Sequence, residues 1–207
     1  MRARLLAATA VLACSHGAPA PSPAVATPDS AVATPDAALA SFEVVKGVLQ
    51  SPRCVNCHPT GDAPTQGDDS HVHLQYVQRG PDGQGAPGQR CATCHGLANP
   101  PASYGMHQPP GVSKGWKLPP PEHRMVFAGL TSTGLCKQLK DPKQNGGKSM
   151  DELMKHVSSD PLVVWGWAPG FGRAPVPVPH AEFVRAFKAW ADAGAPCAPL
   201  RVAKSGP

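Results

Sequence analysis

Two short stretches place chemically capable residues at close, repeated spacing: "CVNCH", from Cys54 to His58, and "CATCH", from Cys91 to His95. Each sets two thiols three positions apart with an imidazole directly after the second. Two intervening residues let one helical turn present both sulfurs to the same edge of a planar group, and the adjoining His then lies under its centre. This is how haem c is held: the thiols become thioethers to the porphyrin vinyl groups, and the imidazole is the proximal ligand of the iron. The four cysteines also satisfy C-x-x-C…C-x-x-C, the spacing of a structural zinc site, although zinc does not require a His after each pair. A thiol redox pair would need a βαβ setting that the flanking sequence lacks. The expected cofactors are two covalently attached haem c groups, one on Cys54, Cys57 and His58 and one on Cys91, Cys94 and His95, with zinc as the competing reading.

An iron held from one side takes a second axial ligand or stays open. No Met lies between the motifs, so a local ligand for the first haem is His71 or His73, in "DDSHVHL". Solvent exposure is the ordinary alternative for such a pair in a polar loop. Beyond the second motif, His107 in "YGMHQPPG" is the expected distal ligand, with Met106 as its rival. His123, His156, His180 and Met125 stand in reserve, and the pairing of ligand to haem can also be crossed. Two imidazoles on one iron give a lower potential than His with Met. Trp116, Trp165, Trp167 and Trp190 supply bulky apolar surface, expected to pack against porphyrin faces and exclude water.

The elements that must position these groups are short. The 207 residues include 26 Pro and 21 Gly but only four Trp, two Tyr and five Phe, so a large apolar core is hard to assemble from side chains alone. Small, loop-rich domains recruit disulfides or a cofactor for that purpose. Leu39, Phe42, Val45 and Leu49 recur at helical spacing and stop before Ser51-Pro52, which predicts a helix just ahead of the first motif. Residues 59–90 are polar and Gly-rich and read as a loop. A loop of that length in a compact domain is functional or held by something. A short helix is predicted over 131–139. Ser149 with Glu152 forms a capping box before Met150, Leu153, Met154 and Val157 on one face. A last helix over 181–193 buries Phe183, Phe187 and Trp190 and ends at Gly194 and Pro196. The expected fold class is mainly α and coil-rich, with short helices and long Pro/Gly-rich loops.

The N-terminus reads as an export signal over 1–14: Arg2 and Arg4, then the apolar run "LLAATAVLA", then Cys14 in a "VLAC" that resembles a bacterial lipobox. Acylation of Cys14 would anchor the chain to a membrane; cleavage a few residues later is the alternative. Residues 15–40, with "AVATPD" twice, read as a disordered Pro/Ala-rich tether. The folded domain is expected over 41–200 and a tail over 201–207. Export implies the periplasm, an oxidising compartment that rarely leaves thiols unpaired. Of seven Cys, lipid takes Cys14 and the motifs take four, so Cys136 and Cys197 are expected to form a disulfide. The net charge of +5 comes from scattered Lys and Arg without interleaved aromatics. That speaks against nucleic acid and for docking an acidic redox protein.

Together "LQSPRCVNCHPTGDAPTQGDDSHVH", "VQRGPDGQGAPGQRCATCH", "QLKDPKQNGG", "HVSSDPLVVWGW" and "HAEFVRAFKAWADAGAPC" resemble a group of small bacterial dihaem proteins labelled "isoquinoline 1-oxidoreductase subunit". The resemblance runs from Leu49 to Cys197. It implies a cytochrome that accepts electrons from a dehydrogenase or molybdenum hydroxylase. The closing "FKAWADAGAP" is also similar to the C-terminal helix of cytochrome c domains. Only 32 residues separate the motifs, which is short for a complete cytochrome c domain and favours one fused dihaem unit. The expected function is electron transfer with a redox protein partner such as a dehydrogenase or a terminal acceptor, rather than catalysis. The alternatives are a haem enzyme of peroxidase or dehydrogenase type with one open iron, and a zinc-binding structural protein.

Overall fold

The computed structural model describes residues 34–199. The export signal with Cys14, nearly all of the tether and the tail at 201–207 lie outside the described residues. Helix α1, Pro35–Leu49, starts earlier than its apolar spacing suggests, so the tether does not extend to 40. The reason is local. Thr34 caps the helix by accepting from the Ala37 amide, Pro35 occupies the first turn, where its missing N–H costs nothing, and Asp36 faces the positive end of the helix. Ala38, in the segment read as tether, is fully buried. Helix α2, Pro52–Val55, follows after Ser51 and carries the start of the first motif.

Helix α3, Ser132–Lys140, is capped by Thr131. Helix α4, Met150–Ser159, opens on the predicted capping box, with Ser149 and Glu152 each bonding the other's backbone amide. A single turn, α5, spans Pro161–Val164. Helix α6, His180–Asp192, ends where Gly194 adopts φ +82°, as a glycine beyond a helix end commonly does.

Helices α1 and α6 pack along one another, with Phe42 against Trp190 at 4.7 Å between ring centres and Phe187 edge-on to Trp190. Leu135 and Leu139 of α3 and Leu153 and Val157 of α4 complete this core. Burying each such side chain contributes roughly 1.5–3 kcal/mol. Cys136 and Cys197 form the expected disulfide, with Cα atoms 5.6 Å apart. It fastens α3 to the chain leaving α6, and the Trp190 indole donates to the Pro196 carbonyl beside it.

The other half, between α2 and α3, has no helix longer than one turn. Thr65–Gln66 pairs antiparallel with His71–Val72, a hairpin the sequence reading did not anticipate. The long loop is held by Arg79, whose side chain is 1 % exposed. Its guanidinium donates to the carbonyls of Pro119 and Gly61 and pairs with Asp62. Mainly α with extensive coil therefore stands as expected. Among the described residues no helix is long and apolar enough to cross a membrane.

Candidate haem-binding site

The two motifs fold into the same turn. In the first, the amides of Cys57 and His58 both donate to the Cys54 carbonyl, at 3.2 and 3.1 Å. In the second, those of Cys94 and His95 both donate to the Cys91 carbonyl, at 3.2 and 2.9 Å.

Each imidazole is then fixed by the same pair of contacts. His58 Nδ1 lies 2.7 Å from the Met125 carbonyl, and His95 Nδ1 lies 2.8 Å from the Pro110 carbonyl. A carbonyl only accepts, so Nδ1 carries the hydrogen and Nε2 keeps its lone pair for a metal. Phe127 stacks on the His58 ring at 4.0 Å, and Trp116 stacks on the His95 ring at 4.8 Å. Burial pushes His58 down to about 4 and lowers His95 as well. Both are neutral near pH 7, the form that ligates. Burial also pushes the Cys54 thiol up to about 11 and Cys57 to about 12. Protonated thiols of this kind are poor nucleophiles, which weighs against a redox pair.

A cavity of about 670 Å³ lies between the motifs, walled by Cys57 from the first and by Cys91, Cys94 and His95 from the second. Its size falls within the roughly 300–1,000 Å³ of small-molecule and cofactor pockets. Trp116 and Trp165 form an aromatic wall, edge to face at 4.8 Å, and the Trp165 indole donates to Asn99. Arg53, Arg90 and Arg173 border the same space together with Asp68 and Asp69; Arg53 is paired with Asp68 and Arg90 with Asp82. Trp167 and Trp190 belong to the helical core instead, Trp167 lying over His180 and Phe183. Only two of the four tryptophans therefore face the site.

His71, His73 and His107 all reach the cavity wall. His73 faces the second motif: its ring centre is 6.3 Å from that of His95. His71 is engaged by Asp69 at 2.5 Å. His107 sits at φ +59° with its amide bonded to the Phe171 carbonyl. Met106 is 56 % exposed and lies outside the cavity wall. Of the reserves, His123 contacts the Lys143 carbonyl and His180 the Val157 carbonyl, while His156 lies 3.6 Å from Asp160. The Met125 carbonyl holds His58.

Asn56, one of the two intervening residues of "CVNCH", is a positioning residue that sequence reasoning passed over. It accepts from the Thr65 hydroxyl at 2.7 Å and donates to the Gly67 carbonyl at 2.9 Å. Arg53 adds bonds to Gly67 and Asp68. The first motif thereby grips the hairpin that carries His71 and leads into His73. An intervening position carries no signal of its own, so the role was not legible in advance.

The cavity, with Cys91, Cys94 and His95 of the second motif and Cys57 of the first in its wall, fits haem c at the second motif, while His58 and Cys54 lie outside that wall, and the four thiols are not gathered into a cage. Among the described residues no three His, Cys, Asp or Glu side chains come together as a metal cluster. Compared with protein-family models, curated proteins and solved structures, the chain matches none.

Proposed function

We propose that this chain is an exported dihaem c-type cytochrome of a single cytochrome c-like unit, an electron carrier held at the periplasmic face of a membrane through lipid on Cys14. The observation that carries the reading is the duplication of one device: two C-x-x-C-H turns, each with its His Nδ1 bonded to a backbone carbonyl and an aromatic ring on its face. Bound haem c supplies one-electron chemistry, its iron passing between ferric and ferrous states.

The chain's own residues do the rest. Cys54 with Cys57, and Cys91 with Cys94, tether the rings, and His58 and His95 present Nε2 in a fixed orientation. Trp116 and Trp165 keep water from the shared space, which tunes the potential. Arg173, bonded to backbone carbonyls rather than to a carboxylate, offers a counter-charge to propionates. Cys57 of the first motif and Cys91, Cys94 and His95 of the second line one cavity, which supports two cofactor sites close to each other. The redox partners on this reading are a dehydrogenase or molybdenum hydroxylase as donor and a further acceptor.

The test is to express the chain together with a haem c maturation system and weigh it intact. Two covalent haems per chain and a reduced c-type absorption band are expected. Stoichiometric zinc without covalent haem would overturn the reading, and rapid peroxide turnover at one iron would move it to an enzyme.

A further inference from the structure

We propose that His73, on the loop following the first motif, is the axial ligand opposite His95 of the second motif, so that both halves of the loop region hold one haem between them. The inference rests on the dihaem reading above and deepens it by naming a ligand and its partner.

The separation is the main argument. Two imidazoles on opposite sides of one metal, each with its nitrogen about 2.0–2.1 Å away and its ring centre about 1.15 Å further, keep their centres about 6.4 Å apart. The rings of His73 and His95 stand 6.3 Å apart, tilted by 58°. Each ring of an axial pair contains the ligand axis, so the tilt between them is free. Orientation agrees with distance. The Gln75 amide lies 3.4 Å from His73 Nδ1, so Nδ1 faces its own backbone; as an acceptor there it leaves the hydrogen on Nε2, so ligation through Nε2 requires that this long contact be given up and the hydrogen move to Nδ1. His95 Nδ1 is taken by Pro110. Both rings line the same cavity.

The placement is built rather than incidental. The His73 amide bonds to the Pro64 carbonyl, and Asn56 and Arg53 clamp the Gly67 turn between the strands. His71, two residues away, is held by the Asp69 carboxylate. A loop leaving one motif thus delivers its imidazole to the other.

The test uses the haem-loaded full chain. His73→Ala is expected to keep two covalent haems while converting one of them, half of the haem signal, from low-spin to high-spin in the EPR and optical spectra. That haem then binds carbon monoxide, and added imidazole restores the low-spin form. Two single-haem backgrounds locate the effect. With Cys54→Ala/Cys57→Ala, adding His73→Ala turns the remaining haem high-spin; with Cys91→Ala/Cys94→Ala it changes nothing, and either background decides if the other fails to fold. The proposal is overturned if His73→Ala leaves both haems low-spin, if the change follows the first motif's haem, or if His107→Ala or His71→Ala produces it instead. Failure of the dihaem reading is a separate result, namely wild-type chain that takes up no covalent haem.

Discussion

"CVNCH" and "CATCH" share a signature and a backbone turn, yet they occupy opposite settings. In the first, Cys54 and Val55 pack against the helical core, and Asn56 and the preceding Arg53 are buried and bonded to the hairpin. In the second, Ala92, Thr93 and Cys94 are exposed, and the turn hangs on loops. Those loops depend on backbone that side chains resist. Gly83 at φ +76° sits so close to the Leu118 carbonyl that a Cβ would collide with it, and Gly85 at φ +94° does the same against Gln89. Spacing decides how a motif binds its cofactor. The residues around it decide whether it also organises the fold, and here only the first motif does so.

The contrast can be broken most severely at the disulfide. Cys136→Ala/Cys197→Ala opens a link across 61 residues, and urea melts are expected to show a loss of about 4 kcal/mol. A loss below about 1 kcal/mol would mean that the helical half stands without it.

Acid should separate the two histidines next. His58 titrates at about 4 in the folded chain against an ordinary value of 6.5. As pH falls the unfolded chain therefore takes up the proton first. The stability that neutral His58 contributes is fully present above about pH 6.5 and is lost on falling towards pH 4, by up to roughly 3 kcal/mol in the chain without any cofactor. His95 acts in the same direction. Stability measured from pH 7 to 4 should flatten more with His58→Gln than with His95→Gln; equal slopes would erase the distinction.

The intervening residues give a finer comparison. Asn56→Ala strips the Gly67 carbonyl and the Thr65 hydroxyl of their partner and should cost about 1–3 kcal/mol, with faster amide exchange in the hairpin. Ser149→Ala, which removes the cap of α4 in the helical half, should cost about 1 kcal/mol and leave the hairpin's exchange unchanged. Thr93→Ala, at the matching exposed position of the second motif, should stay within about 0.5 kcal/mol of wild type by the same melts.

Much of the helical half was legible in advance because its signals are local. The Ser149–Glu152 box, the Gly194 stop and the apolar faces of α1 and α6 act between residues three or four apart, and they fold as they read. Counting thiols paired Cys136 with Cys197 without any geometry. The start of α1 was misplaced because apolar spacing outweighed the cap that Thr34 and Pro35 provide, and burial of Ala38 shows which signal governs.

The sequence by itself determined the two C-x-x-C-H turns, their candidate cofactor chemistry and a mainly helical, coil-rich frame, since each depends on contacts within a turn or on composition. Only the tertiary structure decided that Trp116 and Trp165 face the cavity while Trp167 and Trp190 fill the core, and that His73 looks towards His95. Those outcomes depend on how residues 59–90 return across the first motif. That path is set by glycines at positive φ, by Arg79 bonded to carbonyls 18 and 40 residues away, and by Asn56 at an intervening position. None of these leaves a periodic trace along the chain, because the bonds that matter join residues far apart in it.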